Sequence, residues 1–460
     1  MGMEEGLQGE EQSTEALQRA LRVAEGLPEG GLFAGLEWRV APEPWTMPES
    51  LARDLPKLGH RLWKFLKACN LLYQRSVKGT APAWIAQVLD QGKPRDVIEV
   101  GRSAAFRGNI PDIIRPDVIP TANGYIVSEI DSVPGGIGLT AWFNSIYTQA
   151  GASVLGGATG MLDKCAALFP QGGQIFVSEE AATYRPEMEW LASELRRSTG
   201  REIHVVGQDF PGPWGPSVYR FFELFDLPNL PAWKALREAA EEKQVRLTAP
   251  PKAFLEEKLW FALFWMRPLE PFWREQLGSG IFQALRRHLP RTWLLDPRPL
   301  PPSAVYPGLE INDWRELKNF TQKQRQLVIK VSGFSEQAWG ARGVWVGHDL
   351  SAADWGHAVD DALANFASRP CILQQFHAGA QFPGTYLDAD NKTLRTFPAR
   401  VRLSPYFFAE ETTATLGGAL ATLCPADKKI LHGMPEAILC PAASFAPRHS
   451  ASAASLHPAS

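Results

Sequence analysis

The stretch from Ile114 to Gly136, "IRPDVIPTANGYIVSEIDSVPGG", decides how the chain is read. It places Arg115 and Asp117 before a turn signal, "TANG", and Glu129 and Asp131 after it. As two antiparallel strands closed by a three-residue loop centred on Asn123, it sets Asp117 opposite Glu129 and Arg115 opposite Asp131. Gly124 then falls where such a loop wants a positive φ. Side chains alternate along a strand, so all four charged groups emerge on one face. Ile114, Val118, Ile126 and Ile130 form the expected core-facing set. Pro116 and Pro120 have the parity whose backbone points away from the partner strand, where a missing N–H costs no bond in the pair. Three acids around one guanidinium carry more charge than a structural face needs.

The rest of the chain bounds the function. Its 460 residues allow two or three domains, and 45% hydrophobic with 21% charged residues is ordinary for a globular protein. A net charge of -3 gives no reason to expect a nucleic-acid or anionic-membrane partner. The five cysteines are scattered and lack a CxxC pair, which fits reduced thiols and a cytoplasmic setting. Nine histidines form no HxH or HExxH pattern, so a catalytic zinc is not expected. The N-terminus is acidic and polar, unlike a signal peptide, and "LWFALFWM" from Leu259 is too short to span a bilayer.

Five segments follow from composition and periodicity. Residues 1–35 read as a polar leader with one amphipathic helix around Leu17, Leu21 and Val23. Residues 36–172 hold helices from Pro48 to Leu89, the charged hairpin, and a helix in "GLTAWFNSIYTQAGASVLGG". Residues 173–300 begin with a β-α-β unit at Gln174, with Ser178 and Glu179 at the carboxyl end of its first strand, where open α/β sheets bind ligands. The remainder of that segment, from Ser217 to Leu289, reads as helical and aromatic. Residues 301–442 are mostly strand and loop, and 443–460 read as a disordered tail.

A second constellation lies in "LVIKVSGFSEQAWGARGVWVG". Lys330 ends an apolar strand, and a loop with Gly333, Gly340, Arg342 and Gly343 follows. Backbone N–H groups in such a loop can close over phosphates while the lysine neutralises their charge. Further on, "CILQQFHAG" ends a strand with Gln374 and Gln375, suited to hydrogen-bond an adenine. Arg400 and Arg402 alternate on a later strand and suit either a substrate carboxylate or a solvated face. Lys318 reads as a surface residue.

Lysine strand, glycine loop and "ILQQF", in that order, resemble the ATP-grasp fold. The hairpin adds a closer resemblance, to the synthetase domain of glutathionylspermidine synthase. That family carries R-x-D, eleven residues, then E-x-N; here Arg115-Pro116-Asp117 and Glu129-Ile130-Asp131 keep the spacing, with aspartate for asparagine. The resemblance implies an α/β, circularly permuted ATP-grasp with an inserted pre-ATP-grasp β-α-β domain. It implies ATP and Mg2+ as cofactors, with Asp117, Glu129 and Asp131 on the metal. Arg115 would then be at the reacting phosphoryl group and Lys330 on the α- or β-phosphate, with Arg342 as a further contact. The implied reaction joins a small-molecule or peptide carboxylate to an amine through an acyl-phosphate. A phosphotransferase and a non-catalytic nucleotide-binding module are the alternatives. "SVPGGIG" stands where the family has a polar substrate-facing segment after E-x-N, so the resemblance does not carry glutathione and spermidine over as the substrates, and no amidase part with a Cys-His pair precedes the hairpin.

Overall fold

The computed structural model describes residues 2–28, 32, 37–301, 304–338, 342–428 and 430–444, with side chains from Thr14 onward in the first helix. Helix α1 (Gly2–Glu25) is followed by short strands β1 (Arg39–Val40) and β2 (Trp45–Thr46). Helices α2 (Glu49–Val77), α3 (Trp84–Asp90) and α4 (Arg95–Arg102) lead to the hairpin β3 (Ile113–Thr121) and β4 (Gly124–Asp131). Then come α5 (Ile137–Gln149), α6 (Gly160–Ala166), β5 (Gly173–Val177), α7 (Arg185–Thr199), β6 (Ile203–Val206), β7 (Ser217–Phe221), α8 (Trp233–Glu241) and β8 (Arg246–Thr248). Helices α9 (Leu259–Trp265) and α10 (Glu270–His288) precede β9 (Thr292–Leu294), β10 (Leu327–Val331), β11 (Val344–Val346), α11 (Ala352–Ala364) and β12 (Cys371–Gln375). Strands β13 (Gln381–Asp388), β14 (Thr393–Ala409), β15 (Ala414–Pro425) and β16 (Ile438–Ala443) finish the described chain.

These elements build three sheets. The largest runs β1-β16-β15-β14-β3-β4, with β13 on β14 and β2 on β16. A four-stranded antiparallel sheet, β11-β10-β12-β9, carries the lysine strand. The third, β6-β5-β7-β8, is parallel. The fold is thus α/β, with the carboxylate hairpin preceding the lysine strand and the parallel unit inserted between them, the permuted ATP-grasp-like order. Helix α2 lies along the core with Leu51, Leu55, Leu58, Leu62 and Leu66 buried, a spacing that keeps one face apolar through eight turns.

Several expectations need correction. Ser217–Phe221, read as helical, is strand β7, and Arg246–Thr248 adds β8. Every residue of β7 is buried, and a fully buried strand lacks the alternation that separates it from a helix. Strand β9, placed before the boundary at 300, belongs to the lysine sheet through its pairing with β12. The amphipathic helix expected around Leu17, Leu21 and Val23 is present and runs from Gly2 to Glu25, with Ala20 and Val23 buried. The expected disordered tail from 443 falls, beyond Pro441–Ala443 of β16 and residue 444, outside the described residues.

The hairpin keeps its charged register but not its loop. Arg115 pairs with Asp131 and Asp117 with Glu129, as the spacing predicts. Beyond them Val118 pairs with Val127 and Thr121 with Gly124, so the turn is two residues, Ala122 and Asn123, and not three. The leftover residue is a bulge at Ser128. A two-residue turn matches strand twist better than a three-residue one, and the bulge restores the register beyond it. Its cost is a change of face. Tyr125 and Val127 now enter the core, while Ile126, expected there, lines the cavity opposite. Ile114 and Val118 are fully buried as expected, and Ile130 packs partly buried against the core.

Behind the hairpin a polar clamp fixes β4 to two helices. Asp54 of α2 accepts from Arg61 at 2.6 and 2.8 Å and from the Tyr125 hydroxyl at 2.6 Å, with His288 of α10 at 3.3 Å. The hydrogen bond with His288, then those with Arg61 and Tyr125, hold the Asp54 carboxyl well below its usual range against the opposing effect of burial. A carboxyl depressed in the folded state contributes stability above its unfolded pKa of about 4, and that stability is lost as pH falls. Asp54→Asn should therefore lower the unfolding free energy from urea titration at pH 7 by about 1–3 kcal/mol, and shrink the further loss between pH 5 and 3. Equal acid sensitivity in the two proteins would refute the assignment.

Candidate functional site

The charged face of β3–β4 looks across a cavity of about 820 Å³ at the lysine sheet. Arg115, Asp117, Glu129 and Asp131 all line it, as do Lys330, Gly343, Gln374 and Gln375 from the opposite side. Lys330 is 8% exposed, and its Nζ donates to the Ser128 carbonyl at 3.0 Å and to Gln374 Oε1 at 2.9 Å. The bulge thus presents a main-chain oxygen to the lysine. Burial pulls the Lys330 amine down to about 8, the opposite charge of Glu129 only partly offsetting it.

Each acid of the hairpin has a cation. Arg115 Nη2 donates to Asp131 Oδ2 at 2.9 Å, and its Nε stands 3.7 Å from Asp117 Oδ1. Burial disfavours the Arg115 charge, but Asp117 and Asp131 more than compensate and push its pKa up. Asp117 also faces Arg402 Nη1 at 3.5 Å and accepts from Ser404 Oγ at 3.2 Å. Burial would raise its carboxyl; Arg402, Arg115 and Ser404 hold it below the ordinary value. Burial wins at Asp131, whose pKa is raised despite Arg115 and the Val133 N–H bond.

Glu129 is held by a residue the sequence reading took for aromatic core. Lys258 Nζ lies 2.9 Å from Glu129 Oε1 and donates to the Ala338 carbonyl at 3.1 Å. The signal was present: "EEK", residues 256–258, sets three charges against the most apolar run in the chain. Each is spoken for inside the protein. Glu256 pairs with Arg220, and Glu257 with Lys93 and the Ser332 hydroxyl at the root of the glycine loop.

The other predicted residues divide. Gly343 lines the cavity, and a Cβ there would meet the Gln337 carbonyl at 2.5 Å and Val331 at 2.7 Å, so only glycine fits. Gly333 sits instead at a side chamber against Glu256 and Glu257. Arg342 does not line the cavity; its Nη1 is 3.8 Å from Glu180. Gly340 lies outside the described residues. Gln374 is buried between Lys330 and Thr292, whereas Gln375 is exposed at the cavity edge. Arg400 and Arg402 both reach the cavity, so neither belongs to a solvated strand face. Lys318 pairs with Asp360 at 3.0 Å on the surface, and Ser178 is buried with its Oγ accepting from the Ala181 N–H.

No three His, Cys, Asp or Glu groups among the described residues are already arranged around a metal position. The donor chemistry nonetheless suits magnesium, which takes one or two carboxylates together with phosphate oxygens and water. Asp117 and Glu129, cross-strand partners on one face, supply that pair. Asp131 has both oxygens engaged at 2.9 Å, by Arg115 and by the Val133 N–H, whereas the contacts of Ser404 and Arg402 to the two Asp117 oxygens are longer, 3.2 and 3.5 Å.

No protein-family model matches the chain, and no curated protein matches it either. Among solved structures, a glutathione synthetase-like effector from Globodera pallida in its apo form aligns over 95% of this chain and 96% of its own, with TM-score 0.52 and 11% identity. The two chains share a fold. A candidate gamma-glutamylcysteine synthetase from Methylobacillus flagellatus aligns over 71% of this chain and 78% of its own, at 10% identity and TM-score 0.37. Among the described residues, no helix is long and apolar enough to cross a membrane.

Lys258 ties Glu129 to the glycine loop through Ala338. Lys258→Met should free that loop, raising amide hydrogen exchange at residues 335–338 and 342–343 by about tenfold while β7 stays protected. Unchanged exchange there would show that the lysine does not anchor the loop.

Proposed function

We propose that the protein is an ATP- and magnesium-dependent ligase that joins a carboxylate to an amine and releases ADP and phosphate. The observation that carries this reading is the direct meeting of two halves: Lys330 and Lys258 from one side contact the four-charge hairpin on the other, across a single cavity. Five cationic side chains line that cavity, Arg115, Arg400, Arg402, Lys258 and Lys330, with the Nε atoms of all three arginines buried and unpartnered. Unmatched buried donors are costly, and the anionic oxygens of a nucleotide and of a carboxylate substrate would match them. The glutathione synthetase-like neighbour supports the reading at the level of fold.

In this reading Lys330 and Lys258 hold the α- and β-phosphates, and Arg115 meets the phosphoryl group in transfer, where a fixed guanidinium stabilises spreading charge. Asp117 and Glu129 would hold magnesium, with Asp131 orienting Arg115; the metal, when bound, offsets charge on the phosphates. Gln374 orients Lys330. The base falls to the apolar slot near Val328 and Val346 and to the Gln375 side chain, because the Gln375 and Phe376 N–H groups already donate to Arg291 and Gln326. The acid's oxygen attacks the γ-phosphorus and ADP leaves. The amine then attacks the acyl carbon, loses a proton, and phosphate departs. Water must be kept from the acyl-phosphate, the task of the loop that Lys258 and Gly343 anchor.

ADP release should require both an acid and an amine, and hydroxylamine should trap a hydroxamate. Lys330→Met and Asp117→Asn should each lower kcat/KM by about a hundredfold or more, equivalent to about 2.7 kcal/mol. Phosphate retained on a stable product, or tight nucleotide binding with no turnover, would overturn the ligase reading. Protonated Lys330 is the form that binds phosphate, so affinity for magnesium AMP-PNP should fall as pH rises through about 8. The Lys330→Met protein should bind weakly with no such step, and a step of equal size in both proteins would assign it to another group.

A further inference from the structure

The cavity extends past the hairpin, across β14, to a second lobe under Ile430–Pro435. Arg400 and Arg402 project into it from one face of β14, two residues apart and so about 6–7 Å between Cα atoms. Their pairing is incomplete. Arg402 has Asp117 at a long 3.5 Å, and Arg400 Nη1 donates only to the Lys428 carbonyl at 3.2 Å. Among the described residues Arg400 has no carboxylate within ion-pair distance, and the Nε of each arginine is buried without a partner.

Position separates Arg400 from the phosphoryl centre. The β3–β14 register, Leu403 with Val118 and Phe407 with Ile114, sets Arg115 beside Tyr406. Arg400 lies six residues further along, about 20 Å by strand rise. The triphosphate already has Lys330, Lys258 and Arg115 around the hairpin. Arg402, beside Asp117, stands at the nearer end of the second lobe, and Arg400 at the farther end against Gly379.

We propose that this lobe binds the acid substrate, and that the acid is a dicarboxylate: one carboxylate beside Arg402 on the side of the phosphoryl centre, the other held by Arg400. This rests on the ligase reading for its direction but not for its chemistry. Two guanidiniums on one wall, each with unused donors, select two anionic groups over one. Ile430, Leu431 and Met434 supply an apolar cover for the carbon chain between them.

Calorimetric binding to the full chain tests it, with glutarate, monomethyl glutarate and magnesium AMP-PNP as separate probes. Glutarate should bind about tenfold or more tightly than the monoester. Arg400→Gln should bring glutarate down to the level of the monoester, Arg400→Lys should recover part of the difference, and AMP-PNP affinity should move less than about twofold. Equal binding of glutarate and its monoester to the unaltered protein would overturn the proposal. So would an Arg400→Gln protein that melts normally but keeps the preference, or one in which AMP-PNP weakens as much as glutarate. If AMP-PNP fails to bind while the glutarate preference persists, the subsite stands and the ligase reading falls.

Discussion

Ionised groups taken out of water must find opposite charges or hydrogen bonds at close range, and in this protein that demand is met between neighbouring strands and across the cleft. Arg115 is shared by Asp131 and Asp117, Asp117 by Arg115 and Arg402, and Glu129 by Lys258. The partners come from β3, β4, β14 and the segment just before α9. The first three pairs lie within the large sheet, whereas Lys258 on Glu129, and Lys330 on the Ser128 carbonyl, reach the hairpin from across the cleft. The charge alternation both holds the cleft together and leaves it with donors in surplus, since the buried Nε atoms of three arginines have no acceptor. A groove built this way is stable when empty and still suited to a polyanion.

The connection between sheets also explains the position of the glycine loop. Ser332 is fixed by Glu257, Ala338 by Lys258, and the Gly343 carbonyl by the Val331 N–H. Two of these anchors, at Ser332 and Ala338, trace to the acid-acid-lysine triplet that opens the α9 apolar run. That triplet therefore links the carboxylate hairpin to the cover above it.

Much of this was legible in the sequence. Alternation and spacing placed Arg115, Asp117, Glu129 and Asp131 on one face and in the observed cross-strand pairs. Lys330 was read from its apolar strand and the glycines that follow. The losses have physical causes. Lys258 was hidden because an aromatic run at helical spacing reads as core, and only its contact with Glu129 shows otherwise. Strand β7 was hidden because burial on both sides erases the two-residue period. Arg400 and Arg402 could not be assigned because a strand does not reveal which of its faces meets solvent until its neighbours are known. Arg342 was drawn in by its loop, yet it lies against Glu180 instead of the cavity.

The extra residue at Ser128 carries one more consequence. Lys330 is oriented by that residue's backbone oxygen, so replacing the serine with most other residues leaves the acceptor in place. Removing or adding a residue there would turn the succeeding acids to the wrong side. What this position encodes is chain length, and natural variation at it should be free in identity while strict in number.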